Sequence, residues 1–492
     1  MTNRSAFLLA TIGCCALSTE AFSAKKSERP NVLFIFVDDM TFNGLNALGR
    51  SDVISPNFDK LIAEGTRFSN VYNMGGWNGA VSQASRSQLF TGRYLWNSQR
   101  CEENQYEKNL NTRTTWPAVM KDAGYDTYMT GKWHVYHVDP KQVFDEVGTV
   151  RPGMPDVNLH NYPNAYNRPL SRDNDTWSAS AQDGSGYWLG GKHWSEVQAD
   201  QCIGAIEAGA KSDNPFFIYC AFNAPHDPRQ SPQRYLDMYD VDKITVPTSF
   251  QPLHPLMEEM DSGVDLRDEA LAPFPRTEYA VQKHLQEYYG IITHLDDQIG
   301  RVIKSLKKSG QYDNTLIVFT ADNGLAMGRH GLIGKQNMYE HSMKIPLLFI
   351  GDGIAKGESR DQMLYMQDLV PTIYDIVGIE RPKDMNFISQ IDALKDSNSK
   401  CKRPYIYGAY IYSQRMIRND RYKLIFIPAG QHVLLFDLEN DPEEMNNLYG
   451  DAKYDDVVME LAKNYLKEAK KSGDELLLTP YYFDLFSKAK AK

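Results

Sequence analysis

Four groups of polar residues in this chain could bind an ion or move a proton, and each stands directly behind a short apolar run. Asp38-Asp39 follow Val32–Val37, Lys132 and His134 follow Asp126–Thr130, His226 follows Pro215–Phe222, and Asp322-Asn323 follow Thr315–Thr320. Asp38, Asp39, Asp322 and Asn323 offer only oxygen, and hard oxygen donors suit Ca2+ or Mg2+ better than zinc or copper. Lys132, His134, His226 and Lys335, the last within Gly328–Lys335, would together bind an oxyanion and transfer protons. Taken singly, each has a plainer reading: an Asp pair after a strand is commonly a cap or a surface pair, and a lone His or Lys is commonly structural. Ser82 precedes a helix expected over Ser85–Phe90, so its hydroxyl could face an anion held at the positive helix end. No G-x-S-x-G elbow surrounds it, which argues against a Ser-His-Asp hydrolase.

The elements that must position these groups read as an open α/β sheet. Val32–Val37 is an unbroken apolar run of the kind buried on both faces. A helix is expected over Pro56–Glu64, with Ser55 as cap and Gly65 as stop. In such a sheet the strand C-termini converge, so the four groups should meet in one place. A long helix over Glu278–Lys308 is expected against the sheet, since Val281, Leu285, Tyr288, Ile292, Leu295, Ile299, Val302 and Leu306 recur at steps of three and four; Asp296 and Asp297 read as its solvated face. Asp139–Trp194 and Tyr235–Pro275 are long, aromatic and aperiodic, and are expected to be walls of the site.

After about residue 400 the pattern changes to short alternating runs at Tyr405–Tyr412, Arg415–Arg418, Tyr422–Ile427 and Val433–Asp437, with a helix near Lys453–Ser472. Residues 28–400 are thus expected to form the catalytic domain and 401–492 a smaller α+β domain with an antiparallel sheet. Residues 1–24 read as a signal peptide, so export to the periplasm or medium is expected. Cys14 and Cys15 within it raise a lipoprotein alternative. No other run could span a membrane. The 492-residue chain carries a formal net charge of -10. That charge disfavours general nucleic-acid binding, so an anionic substrate must be held by local cations. Cys101, Cys202, Cys220 and Cys401 have no zinc-like spacing, and one disulfide is possible.

Several segments resemble the signatures of formylglycine-dependent sulfatases of the alkaline phosphatase superfamily. RPNVLFIFVDD (29–39), SQASR with LFTGR (82–86, 89–93), TGKWH (130–134), NAPH (223–226), TADNG (320–324) and GLIGK (331–335) occur in the family's order. RMIRNDRYKLI (415–425) and LFDLENDPEEMNNL (435–448) resemble its small C-terminal domain. The resemblance implies a large, mostly parallel mixed sheet sandwiched by helices plus that smaller domain. It also implies hydrolysis of sulfate esters by a formylglycine hydrate made from residue 82 by a maturation enzyme. Asp38, Asp39, Asp322 and Asn323, with residue 82, would hold Ca2+, Mg2+ being the lesser choice. Arg86 would steady the nucleophile, Lys132 and Lys335 would bind sulfate, His134 would assist elimination and His226 would protonate the leaving alcohol. The family more often has Cys at 82 and Pro at 84 where this chain has Ser82 and Ala84. A serine form is matured in bacteria by an oxygen-independent route, and an engineered Cys→Ser change that traps substrate is the equal alternative; an unoxidised serine would bind sulfate esters without turnover.

Trp77, Asn78, Trp133, Arg229 and His330, with Trp96, Arg100, His137, Trp188 and His193, are the candidate substrate contacts, since aromatic faces and scattered cations suit sulfated sugars. A sulfated polysaccharide is the expected substrate, carrageenan being preferred to glycosaminoglycans. The alternatives are a phosphodiester or phosphonate monoester hydrolase of the same superfamily, and a non-catalytic sulfated-glycan-binding protein with Ser82 unmodified.

Overall fold

The computed structural model describes residues 29–103, 114–155, 163–476 and 478–491; the signal peptide expected over residues 1–24, with Cys14 and Cys15, lies outside them. Among the described residues thirteen strands form two sheets. The strands are β1 (Asn31–Val37), β2 (Thr66–Tyr72), β3 (Gly75–Gly76), β4 (Asp126–Lys132), β5 (Glu146–Arg151), β6 (Phe216–Ala221) and β7 (Thr315–Ala321). They continue as β8 (Lys344–Ile350), β9 (Glu358–Tyr365), β10 (Ile406–Tyr410), β11 (Gln414–Arg418), β12 (Tyr422–Ile427) and β13 (His432–Asp437). The first sheet runs β5-β4-β6-β1-β7-β8-β2-β9. It is parallel from β5 to β7, and β8 runs against both its neighbours.

The apolar runs at β1, β6 and β7 lie inside this sheet, buried along their whole length. Their continuous burial follows from parallel pairing, which requires cover on both faces. Register then aligns the strand ends: Val37 pairs Ala321, Phe36 pairs Ala221, and Ala221 pairs Gly131. The residues that follow each strand therefore emerge side by side.

Helix α1 (Pro56–Glu64) begins at the expected proline. Its start is held differently from expectation, because Ser55 makes no side-chain cap. The carboxylate of Asp296 instead accepts from the Asn57 and Phe58 amides at 3.1 and 2.7 Å. Asp296 is thus fully buried rather than on a solvated face. Helix α2 (Val81–Thr91) is buried at every residue and ends at Gly92, φ 68°. Helix α3 (Trp194–Gly209) covers β4 and β6, and α4 (Glu278–Lys308) packs beside it with its periodic apolar stripe buried. Thr277 caps α4 by accepting from the Ala280 amide.

The second sheet runs β13-β12-β11-β10-β3 and is antiparallel except at β3, which comes from the segment just before α2. A Cβ on Gly75 would stand 1.9 Å from the Ala409 carbonyl, so only glycine permits that junction. Helix α5 (Asp455–Ser472) backs this sheet. The core beneath it includes Val81 and Ala84 of α2, so α2 joins both packed units. No helix of the described residues is long and apolar enough to cross a membrane.

Candidate active site

The ends of β1, β4, β6 and β7 and the first turn of α2 converge on one buried cluster. Carboxylate oxygens of Asp38, Asp39 and Asp322 lie within 4.8 Å of one another. Asp39 turns its side chain into the group through a left-handed φ of 59°, and its amide donates to Asp322 at 3.2 Å. Ser82, the second residue of α2, places Oγ 3.1 Å from Asp38 Oδ1 and 3.2 Å from Asn323 Oδ1. The Asn323 amide donates to Asp39, which turns its oxygen towards Ser82.

Cations close round these acids. Lys132 pairs with Asp38, and Lys335 Nζ reaches both oxygens of Asp39 at 2.6 and 2.8 Å. Arg86 donates from Nε to Asp322 at 2.9 Å and from Nη1 to the Lys132 carbonyl at 3.0 Å, and its guanidinium lies over Phe36. Its Nη2 is buried without a partner.

Burial, then the neighbouring Asp322, pushes the Asp38 carboxyl up to about 6. Burial also lowers Lys132 despite Asp38. At Asp322 burial is outweighed by Arg86 and Lys132, which hold that carboxyl below its usual range. Carboxylates crowded enough to raise one of their number, with oxygen-only donors and no sulfur or imidazole among the three acids, fit a shared hard divalent cation.

Two imidazoles flank the cluster. His226 sets Nε2 3.7 Å from Asp39 and Nδ1 3.1 Å from Asp227 Oδ1. Burial and Lys335 oppose its protonation, but Asp39, Asp227 and Asp38 outweigh them and raise it. His134 has φ 54° and a buried, unpartnered Nδ1. Burial, then Lys132 and Arg86, push that imidazole well below its usual range. Gly153 lies against its ring: a Cβ there would be 2.6 Å from it. Asn223 fixes this covering loop by donating to the Pro152 carbonyl at 3.0 Å.

Ser82, His134, His226 and Lys335 open onto a cavity of about 620 Å³. The two long aperiodic segments supply its walls, through Pro152–Pro155 and through Leu266–Asp268. Arg267 pairs there with Asp227 and Asp268, and Gln336 donates to Asp268 at 2.8 Å.

The candidate substrate contacts divide. Trp77 and Asn78 are half-buried beside the cavity-lining Gly79. Asn78 holds the start of α2 by accepting from Ala80 and donating to Gln83. Trp133 does not reach the cavity: its ring packs among Phe90, Phe144 and Tyr219, and its indole N–H donates to Val138. It alternates with Lys132 and His134 about the strand end and so faces the core. Arg229 is buried with Nη1 3.3 Å from His284, and His330 stacks on Tyr339 between the two sheets; neither lines the cavity. Trp96 and Trp188 are buried, His193 stacks on Tyr187, and Arg100 donates to Gly473. His137 is exposed outside the lining.

Sequence reasoning missed Asp227, Arg267, Asp268, Gln336 and Tyr136 as site residues. Asp227 and Gln336 directly follow recognised residues and could have been found that way. Arg267 and Asp268 sit in an aperiodic loop that carries no local signal.

The profile of the family described as Sulfatase matches residues 30–379, and that described as N-sulphoglucosamine sulphohydrolase, C-terminal, matches residues 328–471. The chain is 26% identical to an N-acetylglucosamine-6-O-sulfatase of Bacteroides thetaiotaomicron, over 96% of this chain and 91% of that one. Its fold is similar to that of a phosphonate monoester hydrolase from Silicibacter pomeroyi, with TM-score 0.72, 24% identity, and coverage of 91% of this chain and 96% of that one. It is also similar to that of a protein solved with a neocarrahexaose, with TM-score 0.64, 21% identity, and coverage of 90% and 94%.

Proposed function

This chain belongs to the sulfatase family and hydrolyses sulfate esters, and from that premise we propose that its substrate is a sulfated polysaccharide, carrageenan first, or an oligosaccharide cut from one. The observation that carries the reading is Ser82 Oγ, set between Asp38 and Asn323 at the floor of an open cavity. Formylglycine made from Ser82 would supply, as its hydrate, the nucleophile, and Asp38, Asp39, Asp322 and Asn323 would hold a calcium ion supplying positive charge for the sulfate.

The chain's own groups do the rest. Arg86 steadies residue 82, and Lys132 and Lys335 present ammonium groups to the sulfate oxygens. His134 is neutral in its enclosed setting and takes a proton at Nδ1. His226, held at Nδ1 by Asp227, presents Nε2 to the leaving alcohol and donates a proton to it.

The charge of the walls supports a sulfated galactan over a uronate-bearing glycosaminoglycan. Among the described lining residues Arg267 is already paired with Asp227 and Asp268, so beyond the sulfate-binding Lys335 the wall offers no unpaired guanidinium or ammonium to receive a uronate carboxylate. A galactan such as carrageenan carries its charge only as sulfate. Export through the leader at residues 1–24 fits a polymer too large to enter the cell.

The test is sulfate release by Ser82→Cys protein matured in a competent host, on carrageenans, glycosaminoglycans, glucosamine 6-sulfate and an aryl sulfate. Release from carrageenan, abolished by chelation and restored by calcium, is expected. Release from glucosamine 6-sulfate alone would overturn the galactan. No release from any ester, with formylglycine and calcium present, would overturn the catalytic reading. For the serine protein from its native host, the mass of the Gly79–Arg93 peptide should show the aldehyde.

A further inference from the structure

Tyr136 stands four residues beyond the end of β4, on the lip of the cavity, and is 49% exposed. Of the cavity's described lining residues it is the one large apolar side chain left exposed. Its ring meets the imidazole of His134 edge-to-face, with centroids 5.7 Å apart and planes at 86°. His134 is itself fixed by the close approach of Gly153 and by the Asn223 tie to that loop. The ring is therefore held beside the reacting centre rather than free on the surface.

The remainder of the slot has two characters. Met154, Pro155 and Leu266 add apolar surface, while Asp268 and Gln336 offer hydrogen-bonding groups. A pyranose has the same two characters, an apolar C–H face and an equatorial rim of hydroxyls, and an aromatic ring beside a polar edge is the surface that matches it. An exposed aromatic side chain at the mouth of a polar site also stays in contact with water until something covers it.

We propose that Tyr136 is the platform on which the sugar ring bearing the scissile sulfate stacks, so that it determines the choice of sulfated sugars over other sulfate esters. The inference rests on the sulfatase reading, and binding separates the two because it needs no maturation. The full chain with Ser82 unmodified, loaded with calcium, is titrated calorimetrically with a sulfated carrageenan disaccharide, with glucosamine 6-sulfate and with inorganic sulfate. The sugar bound best by the parent is then titrated into Tyr136→Ala, Tyr136→Leu and Tyr136→Phe.

The alanine and leucine variants should weaken that sugar roughly ten-fold and leave inorganic sulfate within about two-fold, while phenylalanine restores the parent's value. Because the residue is half in solvent, melting temperatures should be unchanged. Equal sugar binding by Tyr136→Ala would overturn the platform, as would an equal loss for sulfate and sugar, which would mark Tyr136 as a prop for His134. A parent that binds neither sugar nor sulfate would overturn the substrate reading instead.

Discussion

Arg86 reaches Asp322, the Lys132 carbonyl and the face of Phe36 at once. Lysine has a single ammonium and no planar fork, so it cannot make these contacts together. Arg86→Lys in the matured Ser82→Cys enzyme should lower kcat for an aryl sulfate by roughly 100-fold with KM little changed. Retention of most of the parent's kcat would show that the guanidinium only fills space. At this scale the acids and bases behind the strands were legible because chemistry is carried by residue type and a strand end can be read locally. Trp133 and His330 were misassigned for the complementary reason. Whether an aromatic residue faces a cavity or a core depends on what packs against it, and neighbours such as Tyr219 and Tyr339 are distant in sequence.

At the scale of elements, Gly131 lets β4 deliver Lys132 and His134. It adopts φ 96°, and a Cβ would stand 1.8 Å from the Ala221 carbonyl of β6 and 2.9 Å from Gln198 Nε2. Gly131→Ala therefore forces β4 away from β6 where both feed the site. It should cost more than about 2 kcal/mol in urea unfolding and remove nearly all sulfate release. A variant of normal stability and activity would show that the strand end can shift without harm. The capping of α1 shows how far local rules reach. Proline at its first position was readable, whereas the groups that hold its amides belong to Asp296, 239 and 238 residues away from Asn57 and Phe58.

Across the whole molecule the two sheets are joined by a buried charge cluster. Lys423 of β12 lies between Glu340 and Glu444 at 2.7 and 2.8 Å, while Arg418 of β11 and Tyr72 of β2 also reach Glu340. Burial opposes ionisation of Glu340 but Lys423 and Arg418 outweigh it, whereas burial and then Glu340 push Glu444 up to about 7. Lys423→Met would strand two buried carboxylates and should destabilise by roughly 3–5 kcal/mol at pH 8, with a smaller loss at pH 5 as they protonate. An equal loss at both pH values would count against this account. Near the same junction, burial and then His330 lower His254 to about 4, and burial lowers His330 to about 4 despite Glu443. The unfolded chain titrates these imidazoles near 6.5, so it takes up protons first as pH falls. Their contribution is present above about 6.5 and lost as pH drops towards 4, up to roughly 3 kcal/mol each. Glu444 acts in the opposite sense, so the difference is the test: His254→Gln and His330→Gln should flatten the fall in melting temperature between pH 6.5 and 4.5, and an unchanged slope would remove them as its source.

The order of strands and polar ends, the long amphipathic helix and the small antiparallel sheet could be read from the chain itself, because alternation, periodicity and strand-end chemistry are local properties. Tertiary structure alone decided that β4, β6, β1 and β7 lie next to one another, so that the Asp39 carboxylate and the Asn323 amide, 284 residues apart, touch. It also decided that Gly75 and Gly76 leave the first sheet for the edge of the second, and that Tyr136 rather than Trp133 faces the cavity. These depend on backbone approach and shared burial between distant segments, which no window of sequence contains.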